Sequence, residues 1–199
     1  MIKAVIFDWG NVLIANKEEE RFAYYCKILG VHPEKLRPVH DKYLPYFDTG
    51  DLDEQTFWLK VQQDLGLQEM KTLTIWKAAW SHSMVNISGS WDLARDLKKK
   101  NYKLALLSNC EKPTTEMAVG KDYELFDAKV FSCMEGIRKP DREIYEITLK
   151  KLGVKPEEAV FIDDKESYVE GAKFVGLRTI LFKSPQQTKE ELENHGAKI

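Results

Sequence analysis

The chain has 199 residues, of which 43% are hydrophobic and 31% charged, and its formal net charge is −2 at pH 7. This size and composition are typical of a globular protein with a sizeable core, and the near-neutral charge gives no general attraction to nucleic acid or to an anionic membrane. No apolar run approaches the roughly 18 residues that a membrane-spanning helix needs, so no membrane span is expected.

The start of the chain has a strand pattern and no basic leader, so no signal peptide is predicted. The cysteines, Cys26, Cys110 and Cys133, are odd in number and widely spaced, and they form neither a CxxC pair nor a disulfide framework. Reduced thiols are typical of the cytosol, and we therefore expect a cytoplasmic protein.

Five short apolar runs, each closed by polar turn residues, predict β-strands. They cover residues 3–7, 103–107, 128–132, 159–162 and 178–182. Helical patterns lie between the later runs, over residues 90–100 and 140–152. In the second helix, Pro140 suits the first position and Gly153 the stop. Strands that alternate with helices predict an α/β fold with a parallel sheet covered on both faces.

Residues 15–86 interrupt this alternation with four helical patterns and no convincing strand. Apolar residues at helical spacing mark one face in three of these patterns: Phe22, Tyr25, Cys26 and Leu29; Phe57, Val61 and Leu65; Leu73, Trp76 and Trp80. The segment is interpreted as a helical insertion after the first strand, which leaves residues 1–14 and 87–199 as the core domain. At this spacing we expect Trp76 and Trp80 to belong to a hydrophobic core more than to a ligand pocket.

Chemically active residues follow four of the predicted strands, and ligands of such sheets bind beyond the carboxyl ends of the strands. In chain order they are Asp8, the pair Ser108-Asn109, the run Arg138-Lys139-Pro140, and the pair Asp163-Asp164. Each alone has an ordinary explanation as a turn or helix cap. Two adjacent aspartates repel each other unless a cation is near, however, and a lysine before a helix start is unfavourable unless it faces an anion.

This set of residues fits phosphoryl transfer to an aspartate. A carboxylate that attacks a phosphate dianion is repelled by it, so the site needs positive charge. A Mg²⁺ ion held by carboxylate oxygens would bridge the nucleophile and a phosphate oxygen, and Lys139 supplies a second cation. The Ser108 hydroxyl and loop amides can bind another phosphate oxygen. Hydrolysis of the aspartyl-phosphate by water regenerates Asp8.

The segments FDWGNVL, LLSN, RKP and VFIDD, in this order and with a helical insertion after the first, resemble the four motifs of the haloacid dehalogenase-like hydrolase superfamily. The stretches FDWGNV and GDLDEQTFW look most like those of its small-metabolite, sugar-phosphate phosphatases. The resemblance implies a Rossmann-like, doubly wound core with a mobile helical cap over residues 15–86.

The same resemblance implies the roles of the site residues. Asp8 is implied as the nucleophile, with Ser108 and Lys139 as the other catalytic residues. The implied phosphate ligands are Ser108, Asn109 and Lys139. The implied Mg²⁺ ligands are Asp8, the backbone carbonyl of Gly10, Asp164 and, through a water molecule, Asp163.

Gly10 departs from the usual family pattern, which has a second aspartate at this position. That aspartate protonates the leaving alkoxide and then activates water, a contribution typically worth about 10²–10⁴ in rate. Three hypotheses follow. The first is a phosphatase that takes its acid from elsewhere, with Asp48, Asp51, Asp53 and His82 as candidates.

The second hypothesis is a metal-independent dehalogenase-type hydrolase, since a halide leaves without a proton. The third is a non-catalytic binder of phosphorylated ligands or of a protein partner. The Asp163-Asp164 pair favours a metal and hence the first hypothesis. An insertion rich in Trp and Tyr with few cations favours a small, partly apolar or sugar-like substrate group, and Arg138 is expected to face solvent.

Overall fold

Five parallel strands form the central sheet of the computed structural model, which describes residues 1–68 and 74–199. In spatial order they are β5 (Ala128–Phe131), β4 (Lys103–Ser108), β1 (Ala4–Phe7), β6 (Ala159–Asp163) and β7 (Arg178–Leu181). All five lie where the apolar runs predicted strands. The predicted α/β fold with a parallel sheet is confirmed, and β1 lies at its centre.

The helices around these strands vary greatly in length. They are α5 (Ser88–Lys99), α6 (Lys112–Thr115), α7 (Ser132–Glu135), α8 (Arg142–Leu152), α9 (Glu166–Phe174) and, after the last strand, α10 (Pro185–Asn194). The expectation that Pro140 is the first residue of a helix was wrong, since α8 begins at Arg142 with Asp141 as its N-cap. Gly153 ends α8 as predicted, in the left-handed conformation at φ 63° that glycine adopts at least cost.

Both faces of the sheet are covered, which is why the strands read as continuous apolar runs. Alternate residues of a strand point to opposite faces. Val5 and Phe7 belong to the hydrophobic cluster that includes Leu97 of α5, whereas Ile6 belongs to a second cluster with Ile144 of α8. Burial of these side chains on both faces holds β1 rigidly and fixes where its carboxyl end lies.

The described residues between β1 and α5 form four helices framed by two short strands. These elements are β2 (Ile14–Asn16), α1 (Glu18–Leu29), α2 (Pro33–Asp48), α3 (Glu54–Asp64), α4 (Trp76–Ser83) and β3 (Met84–Asn86). The expectation of no convincing strand in residues 15–86 was wrong at the ends of that segment, where β2 and β3 pair antiparallel with Ile14 opposite Asn86. Three-residue strands are too short to show a period of two, and only the folded chain brings them together.

Aromatic side chains fill the space between these four helices. The rings of Tyr25, Phe57 and Trp58 pack with that of Trp76, and His40 stacks on Trp76 with ring centroids 5.7 Å apart. Trp76 is 2% exposed and Trp80 8%, so both are core residues as expected, although both also line the pocket described below. Leu73, which the sequence placed on the same face, lies outside the described residues.

The end of α2 packs against the carboxyl edge of the sheet. Ser132 Oγ, at the start of α7, donates a hydrogen bond to the backbone carbonyl of Asp48 at 2.6 Å. Gly50 has φ +80°, and a Cβ atom there would lie 2.5 Å from the carbonyl oxygen of Cys133. Glycine is therefore required twice at this position, by its backbone conformation and by the close approach.

The three cysteines are free thiols, as expected. Within the described part of the chain, no helix combines the length and the apolar character needed to cross a bilayer.

We expect Gly50→Ala to lower the free energy of unfolding by about 1–2 kcal/mol for the left-handed backbone and by about 1–3 kcal/mol more for the clash with Cys133. Gly66→Ala is the matched control, because Gly66 has φ +65° but nothing lies within 4 Å of an added Cβ. Urea unfolding of both variants measures the difference. Equal losses of unfolding free energy in the two variants would show that the backbone after α2 is not in close contact with α7.

Candidate active site

A buried lysine joins two aspartates at the carboxyl edge of the sheet. Lys139 Nζ donates hydrogen bonds to Asp8 Oδ1 at 2.6 Å, to Asp163 Oδ2 at 2.5 Å and to the Leu107 carbonyl at 3.2 Å. Asp8 follows the last residue of β1, and Phe7 pairs with Ile162, so Asp8 lies level with Asp163 on the neighbouring strand. Lys139 is 1% exposed, and a buried ammonium group is tolerated only when it is paired in this way.

Asn109 determines where Lys139 lies. Its side-chain amide donates to the Lys139 carbonyl at 2.9 Å and accepts from the Lys139 N–H at 2.8 Å. These two bonds hold the segment before α8 against the end of β4, which is why the helix cannot start at Pro140. Asn109 was predicted as a phosphate ligand; in the structure its side chain positions Lys139, a role that the sequence did not reveal.

Arg138 does not simply face solvent, so that expectation was wrong. Its Nη2 lies 3.1 Å from Asp48 Oδ2, and the Asp48 side chain is 6% exposed. The sequence could not show this contact, because Asp48 is 90 residues away in the helical insertion and only the packing of α2 brings it to the sheet edge.

Three carboxylates lie close enough together to share one metal ion. Asp8, Asp163 and Asp164 each offer an oxygen within 4.8 Å of the others. Burial raises the pKa of Asp8 to about 7; Lys139 opposes this shift, and the charges of Asp163 and Asp164 add to it. One ammonium, that of Lys139, is hydrogen-bonded to this group of three carboxylates, so negative charge is in excess when all three are ionised. A divalent cation would neutralise that excess, and an all-oxygen donor set suits Mg²⁺.

The loop after Asp8 is closed by Asn11. Asn11 has φ 59°, its Nδ2 donates to Asp164 Oδ2 at 2.9 Å, and its Oδ1 accepts from the Asn16 N–H at 2.9 Å. The Asn16 side chain in turn accepts a hydrogen bond from Arg21 of α1. Asn11 therefore links Asp164 to the first helix of the insertion. No sequence pattern predicted this role.

A pocket of about 180 Å³ opens above these residues. Asp8, Ser108 and Lys139 are among the residues at its sheet end, together with Gly10 and Asp164. Ser108 is 4% exposed and its hydroxyl has only a long contact, 3.5 Å, to the Asn109 carbonyl. The rest of the pocket wall comes from the insertion and from the segment after β4, and includes Arg21, Tyr25, His40, Asp48, Trp76 and Glu111. The structure thus brings together the predicted site residues, which are far apart in the sequence.

The four candidates for a general acid differ in whether they line the pocket. Asp48 does so. Asp51 accepts a hydrogen bond from the exposed Thr49 hydroxyl at 2.7 Å, and Asp53 caps α3 by accepting from the Thr56 N–H at 2.7 Å. His82 is exposed and its Nδ1 lies 2.7 Å from the Ala78 carbonyl. Asp51, Asp53 and His82 are not among the residues that line the pocket.

Residues 2–176 match the haloacid dehalogenase-like hydrolase family. The chain belongs to that family. The resemblance predicted from its four motifs is confirmed, and with it the prediction that the protein is an enzyme, a hydrolase. Among curated relatives, it is 28% identical over 182 residues to the phosphorylated carbohydrates phosphatase of Thermotoga maritima, covering 90% of this chain and 84% of that one.

Two solved structures are similar over nearly the whole chain. A HAD-like family hydrolase from Porphyromonas gingivalis matches with a TM-score of 0.80 and 26% identity, covering 100% of both chains. A HAD family enzyme from Bacteroides thetaiotaomicron, solved in complex with magnesium and inorganic phosphate, matches with a TM-score of 0.75 and 23% identity over 92% of this chain and 96% of that chain. The second likeness is one of fold.

Some curated relatives are much longer than this chain. It spans 9% of the mouse acyl-CoA dehydrogenase family member 10 and 36% of drimenol cyclase drtB from Aspergillus calidoustus, to which it is 36% identical over 98 and 198 residues respectively.

We expect Lys139→Met to lower the free energy of unfolding of the metal-free protein by about 3–5 kcal/mol, because it leaves the buried carboxylates of Asp8 and Asp163 without the cation that they share. Lys173→Met is the control: it removes an exposed pair with Glu170, which is expected to matter by less than about 1 kcal/mol. Urea unfolding in EDTA measures both. A loss no larger in Lys139→Met than in the control would contradict the pairing.

Proposed function

We propose that the protein is a Mg²⁺-dependent phosphomonoesterase that cleaves a small phosphorylated metabolite, with Asp8 as the nucleophile. The observation that carries this proposal is the Lys139 ammonium held between Asp8 and Asp163 at the floor of the pocket. It places a fixed positive charge beside the attacking carboxylate, where the incoming phosphate needs it.

In the proposed reaction, an Asp8 carboxylate oxygen attacks phosphorus in line with the leaving oxygen. Lys139 holds the carboxylate in place, and the Ser108 hydroxyl donates to a phosphate oxygen. The bond from phosphorus to the leaving oxygen breaks and leaves a phosphoryl group on Asp8. Attack by water on that phosphorus releases inorganic phosphate and returns the electron pair to the Asp8 carboxylate.

The ligands proposed for Mg²⁺ are Asp8, Asp164, the Gly10 carbonyl and, through water, Asp163. Both Asp163 oxygens already accept hydrogen bonds, from Lys139 Nζ at 2.5 Å and from the Lys165 N–H at 2.9 Å, which supports an indirect role. When bound, the ion neutralises the excess negative charge and orients the phosphate oxygens.

The dehalogenase hypothesis fits the site less well. A haloacid carries its own carboxylate, and Asp8, Asp163 and Asp164, when ionised, outnumber the one ammonium that is hydrogen-bonded to this group. Without a metal that excess repels an anionic substrate. The membership of a hydrolase family disfavours the non-catalytic hypothesis.

The wall contributed by the insertion supports a neutral, hydroxylated leaving group such as a sugar. Glu18, Asp41 and the amide of Asn16 line it and can accept hydrogen bonds from hydroxyl groups. The guanidinium of Arg21 lies 3.9 Å from the centroid of the Trp80 ring and donates to Asn16, so it is already engaged. We therefore favour a sugar phosphate over a polyanionic substrate, and we take the insertion, residues 15–86, to be a mobile cap.

We expect the purified protein to release phosphate from an aryl phosphate and from members of a sugar-phosphate panel, to lose this activity in EDTA and to regain it with Mg²⁺. Asp8→Asn should abolish turnover, because an amide is not a nucleophile for phosphorus. Asp92→Asn, an exposed acid of α5 that does not line the pocket, is the control.

Steady-state phosphate release measures each of these outcomes. Turnover by Asp8→Asn, or full activity in EDTA, would overturn the proposed function. Metal-independent halide release from haloacids would instead support the dehalogenase hypothesis.

A further inference from the structure

The reaction proposed above lacks a proton donor at position 10. In-line attack places the leaving oxygen on the side of phosphorus opposite the Asp8 carboxylate. Asp8 lies on the sheet, with Lys139 and Asp163 against it, so the leaving oxygen points away from the sheet toward the wall that the insertion contributes. A donor must therefore be sought on that wall.

Asp48 is an acid of that wall and is fixed in place. It is the last residue of α2, it is 4% exposed, and it lines the pocket. Its backbone carbonyl accepts from Ser132 Oγ at 2.6 Å, and its Oδ2 lies 3.1 Å from Arg138 Nη2. Arg138 directly precedes Lys139, so the same segment holds both the nucleophile and Asp48.

A second buried acid faces Asp48. Glu111, 5% exposed, accepts at Oε2 from the Trp76 indole N–H at 3.0 Å and from the Thr114 hydroxyl at 2.8 Å. Two buried acids that face each other are more stable when one of them is protonated. The donors around Glu111 favour a proton on Asp48 over one on Glu111.

The charged surroundings of Asp48 agree with this assignment. Burial and the negative charge of Glu111 raise the pKa of Asp48 well above its ordinary value, and Arg138 and Lys165 oppose the shift. The Cys110 thiol also faces it from the end of β4. Arg21 and His40 lie near enough to Glu111 to interact with its charge.

We propose that Asp48 is the general acid that replaces the missing aspartate at position 10, with Glu111 and Arg138 as positioning residues. This inference rests on the proposed phosphatase reaction. As the bond from phosphorus to the leaving oxygen breaks, its electron pair goes to that oxygen, which takes the proton from the Asp48 carboxyl group and departs as an alcohol. Asp48 is left as a carboxylate, which the Arg138 guanidinium stabilises.

The test compares two leaving groups in Asp48→Asn. An amide cannot supply the proton, so kcat/KM for an alkyl phosphate should fall by about 10²–10⁴. For p-nitrophenyl phosphate, whose leaving group departs as a stable phenolate, the loss should be about tenfold or less. The ratio kcat/KM reports the steps up to departure of the leaving group, so it is insensitive to later hydrolysis of the aspartyl-phosphate.

The control for this variant is Asp51→Asn, which changes an acid three residues away that does not line the pocket and should leave both substrates unaffected. Equal losses on the alkyl and aryl substrates in Asp48→Asn would show a structural role and overturn the proposal. Thermal melting of each variant establishes that it is folded.

Gly10→Asp tests the role of Asp48 in a second way that does not require Asp48→Asn to fold. A Cβ at position 10 would meet the Asn16 side chain at 3.9 and 4.0 Å, which is ordinary van der Waals contact. In an otherwise unchanged protein Gly10→Asp should give no large gain in alkyl-phosphate kcat/KM, because an acid is already present. In the Asp48→Asn background it should restore most of the lost activity. A gain of about 10² or more in the single variant would mean that the acid is absent, and would overturn the proposal.

Failure of this inference is distinguishable from failure of the proposed function. If the unchanged protein hydrolyses phosphate esters and Asp8→Asn does not, the phosphatase proposal stands whatever Asp48→Asn shows. If the unchanged protein hydrolyses no phosphate ester, both fail together.

Discussion

The Lys139 ammonium, buried between two aspartates, is the interaction on which the rest of the site depends. An ammonium that is 1% exposed is stable only because Asp8, Asp163 and the Leu107 carbonyl surround it. The reverse is also true: two acids on neighbouring strands cannot be buried together without a cation. Burial lowers the pKa of Lys139, but the attraction of Asp163 and Asp8 outweighs this and raises it, so the lysine stays charged. A permanent positive charge is what a carboxylate nucleophile needs beside it.

Two asparagines convert this electrostatic requirement into a defined geometry. Asn109 bonds both backbone groups of Lys139 and so fixes the depth at which the ammonium enters the site. Asn11 bonds Asp164 on one side and the Asn16 backbone on the other, which ties the acidic edge of the sheet to the start of the insertion. Amide side chains suit this work because each donates and accepts at once without adding a charge.

The helical insertion does more than cover the sheet. Its second helix carries Asp48 to the carboxyl edge, and the close contact of Gly50 with Cys133 lets the backbone approach near enough for Arg138 to pair with that acid. In the proposed reaction, the floor of the pocket binds and attacks a phosphate, and the wall contacts the remainder of the substrate. In this arrangement the reaction does not require an acidic side chain at position 10, because the general acid can come from the wall of the pocket instead of its floor.

The sequence separation of the interacting residues explains which parts of the fold and of the site could be predicted from the sequence. The five strands were predictable because burial on both faces leaves a local mark, a short apolar run. The residues at the strand ends were predictable because parallel strands bring their carboxyl ends to one edge. The strands β2 and β3 left no such mark. The hydrogen bonds of Asn109 to Lys139, the pairing of Arg138 with Asp48 and the position of Asp48 in the pocket also left none.

By itself, then, the sequence determined the α/β sheet, the place of the helical insertion and the family, since each is encoded in local periodicity or in short motifs. Only the tertiary structure decided which side chains face one another across the pocket. Those contacts join residues up to 153 positions apart, as Asn11 and Asp164 are, and their energies depend on burial, which no local pattern records.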